Sequence, residues 1–114
     1  MKATLYHNPS CSKSNAVFDL LTELGVHFKV VNYLEETPTK EEIICILAML
    51  KIPAEMLIRK NEIIFRQLYQ GRLLNENEWI EAMITYPTLI ERPIVVCGSK
   101  AAIGRPIDQI LNLF

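Results

Sequence analysis

Apolar residues fall in short blocks along this chain, and the spacing inside each block predicts the elements. Residues 3 to 7 form one such block, closed by Asn8-Pro9, and read as a short buried strand. Val17, Leu20, Leu21 and Leu24 then recur every three or four positions as far as Gly25, the period of a helix with one apolar face. Phe28 to Leu34 is rich in β-formers and stops before the Thr37-Pro38 breaker, which predicts a second strand. A strand joined to the next by a helix pairs with it in parallel. Thr39, with Glu42 three residues on, makes a capping box, and Ile43, Ile46, Leu47 and Leu50 supply the apolar stripe of the helix that it opens.

The middle third carries no strand signal of comparable strength. Pro53 suits a first helical turn, and Trp79, Ile80 and Met83 fit a helix capped at Asn75, with Trp79 and Met83 as core residues. Pro93 to Cys97, then Gly98-Ser99, then Lys100 to Ile103 read as a hairpin with a two-residue turn led by glycine. A last helix is predicted from about Pro106. The order is strand, helix, strand, helices, hairpin, helix. It predicts an α/β chain with a mixed four-stranded sheet flanked by helices, in which a helical insertion over about residues 39–90 separates a βαβ half from a ββα half. That is the order of a thioredoxin- or glutaredoxin-like fold, expected here as one domain over residues 1–114.

Composition narrows the class. With 114 residues and half of them apolar, the chain has the material for a core, and a net charge of −1 lacks the basic stripe expected of a duplex-binding protein. The N-terminal segment is too short and too polar for a signal peptide, and no apolar run is long enough to span a membrane, so a cytoplasmic location without membrane or nucleic-acid partners is expected. Cys11, Cys45 and Cys97 are odd in number and widely spaced, without a Cys-x-x-Cys pair. This argues against a disulfide framework or a structural zinc site, and predicts reduced thiols with no bound metal.

Cys11 stands where the first strand should stop and the first helix begin. A helix start offers unpaired backbone N–H groups and the positive end of the macrodipole, both favouring a thiolate. The same groups can hold a small oxyanion, so an anion bound there could be attacked by the sulfur beneath it. Asn8 is expected to fix the loop around the sulfur through its side-chain amide. Ser12 and Lys13 receive no role. Cys45 lies off the apolar stripe of its helix, Cys97 ends a strand, and neither reads as a resolving cysteine. The Glu35-Glu36 and Glu41-Glu42 pairs read as solvated or capping residues.

Four motifs, Tyr6-His7-Asn8-Pro9-x-Cys11, Leu57-Ile58-Arg59-Lys60, Glu91-Arg92-Pro93-Ile94-Val95-Val96 and Gly104-Arg105-Pro106, resemble those of the glutaredoxin-linked arsenate reductase family, in the same order and across nearly the whole chain. The resemblance implies that Cys11 is the nucleophile attacking arsenate and that Arg59, Arg92 and Arg105 surround the oxyanion. Guanidinium groups suit that role, because they bind compact oxyanions bidentately and lower the pKa of a nearby thiol. His7 matches a family histidine that assists thiolate formation, and Ser14 a position whose hydroxyl can hydrogen-bond the sulfur. Thioredoxin-like folds place a cis proline opposite the active cysteine, which makes Arg92-Pro93 a candidate cis peptide. Arg66 and Arg72 fall outside these motifs and read as solvated.

The resemblance further implies glutathione as co-substrate, glutaredoxin as partner and no bound cofactor, because Cys11 has no nearby cysteine to resolve its oxidised intermediate. Two rival readings use the same fold. One is a redox regulator that binds RNA polymerase and commonly senses oxidants through a Cys-x-x-Cys pair; Ser14 stands here in place of its second cysteine. The other is a glutathione-linked thiol reductase acting on a different substrate.

Overall fold

The computed structural model describes residues 2–114. The chain divides into two compact units, one made of the segment through Glu36 together with Arg92–Phe114, the other of Thr37–Glu91.

The first unit is built on β1 (Lys2–His7), whose side chains alternate so that Ala3, Leu5 and His7 are buried. The helix α1 (Ser12–Glu23) follows and ends at Gly25, where φ is +69°. A left-handed residue at that position costs glycine no Cβ clash, which is why the apolar period stops there. Leu24, expected on the buried stripe, caps the helix and is exposed, whereas Val17 and Leu21 are fully buried. The strand β2 (His27–Asn32) pairs in parallel with β1 from Lys2↔His27 to His7↔Asn32.

On the other side of β1 lies β3 (Ile94–Cys97), antiparallel from Ala3↔Cys97 to Tyr6↔Ile94. β3 forms the expected hairpin with β4 (Lys100–Ile103), turning at Gly98-Ser99 with Gly98 at φ +63°. The sheet order β2-β1-β3-β4 makes β1 a central strand and completes the thioredoxin-like arrangement. Ala3, Leu5, Val17, Leu21, Val95, Cys97 and Ile110 form its buried cluster. The last of these belongs to α5 (Asp108–Leu111), which begins two residues beyond the expected Pro106.

In the second unit, α2 (Lys40–Leu50) and α4 (Glu76–Thr85) both open with closed capping boxes, Thr39 with Glu42 and Asn75 with Glu78. α2 buries Ile43, Ile46 and Leu47, while Leu50 is half-buried near the helix end, which Lys51 closes in the left-handed region at φ 59°. Pro53 precedes a 3-10 turn, Ala54–Leu57, instead of entering an α-helix, and the Glu76 carboxylate accepts the Ala54 N–H at 3.0 Å. Between α2 and α4 lies the short α3 (Ile63–Leu68), whose Phe65 stacks on Trp79 at 6.2 Å between ring centroids. Trp79 and Met83 are buried as expected.

A pairing with no counterpart in the hydrophobic pattern joins the middle of this unit to its last residues. Ile58 bridges Ile90 antiparallel, Arg59 N donates to Leu89 O at 2.7 Å, and Glu91 N donates to Leu57 O at 2.8 Å. Among the described residues no helix is long and apolar enough to cross a membrane.

Candidate active site

β1 delivers the chain into a tight turn before α1. Asn8 Oδ1 accepts from Ser10 N at 3.0 Å, Asn8 O accepts from Cys11 N at 3.0 Å, and Asn15 Nδ2 donates to Pro9 O at 3.0 Å. A side chain that bonds its own backbone two residues on is the usual way asparagine sets a turn. Asn8 therefore shapes the loop through its side-chain carbonyl, and Asn15 ties the loop to the first turn of the helix.

Cys11 occupies the N-cap position of α1 with extended backbone angles, φ −102° and ψ 122°. The helices α2 and α4 satisfy their first amides with oxygen-bearing caps; at α1 the cap is a sulfur, and it closes no capping bond of standard geometry. Only 9% of Cys11 is exposed. Burial alone pushes its pKa up, but the amides of Ser14 and Lys13, followed by the charges of Arg92 and Arg105, outweigh it and leave the thiol below its ordinary value. Lys13, given no role from sequence, thus acts through its backbone. The signal for it was available, since the second and third amides of a helix are those that face an N-cap side chain.

Ser14 is fully buried and also acts on the sulfur through its amide. Its hydroxyl is directed elsewhere from the sulfur bond anticipated for it: Oγ accepts from Asn8 N at 3.0 Å and lies 2.6 Å from His7 Nδ1. Burial lowers the His7 pKa, so the imidazole is held toward its neutral form beside Phe18, at 5.7 Å between rings. His7, Asn8 and Ser14 together form a small hydrogen-bonded support under the Cys11 loop.

Arg92 and Arg105 flank the hairpin. Arg105 Nε donates to Arg92 O at 2.7 Å, and both guanidinium groups act electrostatically on Cys11. The Arg92-Pro93 peptide is cis, as expected, and so is Arg105-Pro106, which was not anticipated. Gly104 explains how these segments approach one another. A Cβ added there would lie 2.7 Å from Val17 Cγ2 and 2.9 Å from Pro93 Cγ, and Gly104 N donates to Pro93 O at 2.9 Å. The glycine of Gly104-Arg105-Pro106 is thus a close-packing residue between α1 and Pro93.

Arg59 belongs to the second unit. Its Nη1 donates to Thr88 O at 3.2 Å and pairs with Glu62 Oε2 at 3.3 Å, while its Nε is buried without a hydrogen-bond partner among the described residues. Cys45 is exposed, Cys97 is buried in the core, and neither forms a disulfide. Among the described residues no cluster of three or more His, Cys, Asp or Glu could hold a metal ion.

A β2-β1-β3-β4 sheet with an activated cysteine capping the first helix defines a thioredoxin-like thiol protein. Comparison with known proteins narrows this class. The model of the ArsC family matches residues 6–113, and the chain belongs to that arsenate reductase family. It is 42% identical over 113 residues to the uncharacterized protein YfgD of Escherichia coli strain K12, covering 96% of this chain and 93% of that protein. It is 36% identical over 108 residues to an arsenate reductase of Neisseria meningitidis serogroup A, covering 93% and 92%. A solved arsenate reductase from Vibrio cholerae superposes with a TM-score of 0.95 at 37% identity, over 100% of this chain and 98% of the other.

Proposed function

We propose that this chain reduces arsenate to arsenite, with Cys11 as its single nucleophilic thiol and glutathione and glutaredoxin as the source of electrons. The Cys11 thiolate attacks arsenic, an S–As bond forms, and one arsenate oxygen leaves as water after taking up protons. Glutathione supplies the second thiol. It forms a disulfide with Cys11 while the electron pair of the S–As bond stays with arsenic, which departs as arsenite, reduced by two electrons. Glutaredoxin then exchanges the mixed disulfide and restores the thiol. No bound cofactor takes part, and a reducing cytoplasm suits the three thiols.

The observation that carries this reading is the state of Cys11. Although burial opposes its charge, the Ser14 and Lys13 amides with Arg92 and Arg105 hold its pKa below that of an ordinary thiol. These same donors and charges suit an oxyanion placed over the sulfur. Arg59 is assigned as a further oxyanion ligand, supported by its buried Nε, which has no hydrogen-bond partner among the described residues.

Arsenite formation dependent on glutathione and glutaredoxin tests the proposal. The wild-type protein is expected to turn over and Cys11→Ser to be inert; Arg59→Ala and Arg92→Ala are expected to lose far more activity than stability. Intact turnover in Cys11→Ser would refute the mechanism, and an inactive wild type would refute the substrate.

A further inference from the structure

Arg59 and Glu62 stand at the two ends of one tight turn. Glu62 N donates to Arg59 O at 3.2 Å, and the two side chains meet over that turn, Nη1 to Oε2 at 3.3 Å, with 16% and 26% of their side chains exposed. Glu62 is also the N-cap residue of α3, yet its side chain makes no capping bond there. The caps of α2 and α4 close theirs, so this acidic group leaves its own helix uncapped and turns to the arginine. Nη1 also donates to Thr88 O at 3.2 Å, and the Arg59 backbone N–H donates to Leu89 O at 2.7 Å.

One nitrogen of the guanidinium is therefore engaged by two oxygens, one a carbonyl and one a carboxylate. A guanidinium is planar, so fixing Nη1 also fixes the plane and leaves the Nε–Nη2 edge for a ligand. On that edge, Nε is buried and without a partner among the described residues. A buried donor without a partner carries a desolvation cost that an anion bound bidentately on the edge would relieve.

We propose that Glu62 is a positioning residue, which turns Arg59 so that its Nε–Nη2 edge receives two oxygens of a tetrahedral oxyanion. This deepens the arsenate reductase reading and rests on it for the identity of the anion. The carboxylate has a second consequence, since it offsets part of the guanidinium charge next to a negatively charged substrate. Orientation and charge can be separated by substitution: Glu62→Gln keeps an acceptor for Nη1 and removes the charge, whereas Glu62→Ala removes both.

Two readouts on wild type, Glu62→Ala, Glu62→Gln, Arg59→Ala and the Arg59→Ala/Glu62→Ala pair test the proposal. The first is steady-state arsenate reduction, resolved into kcat and KM; the second is protection of Cys11 from iodoacetamide by arsenate, which reports anion binding without turnover. Glu62→Ala is expected to raise both KM and the half-protecting arsenate concentration by about five- to tenfold, with a smaller change in kcat. Glu62→Gln should recover most of that loss, and Glu62→Ala should add nothing once Arg59 is alanine. Unchanged protection in Glu62→Ala, or an undiminished effect of Glu62→Ala in the Arg59→Ala background, overturns the positioning role. A wild type that is protected by arsenate but never reduces it overturns the proposed reaction, and the protection series still decides the role of Glu62.

Discussion

Arg105 donates a 2.7 Å hydrogen bond from Nε to the backbone carbonyl of Arg92, so one guanidinium of the site is fastened to the residue that carries another. The bond uses a donor that lysine lacks, whereas the charge that acts on Cys11 is one that lysine retains. Arg105→Lys should therefore keep the Cys11 pKa nearer the wild-type value than Arg105→Ala does. Both should lose arsenate turnover by about tenfold or more, because the fork is gone in each. Titration of thiolate absorbance in the ultraviolet, set beside steady-state rates, separates the two effects.

The Cys11 thiol itself should titrate below an ordinary thiol, since the amides of Ser14 and Lys13 and the two arginines overcome the opposing effect of burial. Iodoacetamide reactivity of Cys11 should rise with a midpoint below that of an ordinary thiol. A group whose folded pKa is depressed contributes stability that is complete above its unfolded value and is lost as pH falls through the folded value. Cys11→Ser should lack that alkaline gain in chemical denaturation.

His7 gives the corresponding effect in acid. Burial lowers its pKa from the ordinary 6.5, so the folded protein resists taking a proton that the unfolded chain accepts. Stability should be full above 6.5 and fall as the pH drops through the folded value. Thermal melts across that range should show the decline in wild type and a flatter profile in His7→Gln.

Ser14→Ala removes a buried hydroxyl and leaves Asn8 N–H and His7 Nδ1 without it. A cost of about 1–3 kcal/mol is expected in denaturant unfolding. The amide that acts on Cys11 remains, so alkylation of Cys11 should stay fast. A collapse in alkylation rate would mean that the hydroxyl, and not the amide, supports the thiolate.

Gly104→Ala places a methyl 2.7 Å from Val17 Cγ2 and 2.9 Å from Pro93 Cγ. Val17 and Pro93 are both fully buried, so neither can swing aside freely. Overpacking of this kind costs about 1–3 kcal/mol. Equilibrium unfolding should show that loss, and Arg105, one residue on, should lose turnover with it.

The parts of the fold legible from sequence are those with local causes. Gly25 ends α1 through its backbone freedom, Gly98-Ser99 turns the hairpin, and Thr39/Glu42 and Asn75/Glu78 close capping boxes within four residues. The bridge Ile58↔Ile90 joins positions 32 apart in the chain and carries no local signal. The short α3 is stabilised largely by packing, as its Phe65 stacks on Trp79, so periodicity alone did not reveal it.

The site divides in the same way. Cys11 was legible because a strand–turn–helix boundary dictates its chemistry, and the motifs pointed to the arginines. How each arginine is held was not legible. Arg105 reaches a carbonyl 13 residues away and Arg59 one 29 residues away, and such partners are fixed only once the chain has folded.

Both edges of β1 are hydrogen-bonded within the sheet, to β2 on one side and to β3 on the other. Local opening of β1 must therefore break two ladders at once, which places its amides among the slowest of this unit to exchange with deuterium. Cys11 lies four residues beyond its end, across a turn closed by Asn8. The reactive sulfur is tethered to one of the two strands paired on both edges, so its place survives the fraying that loosens an edge strand.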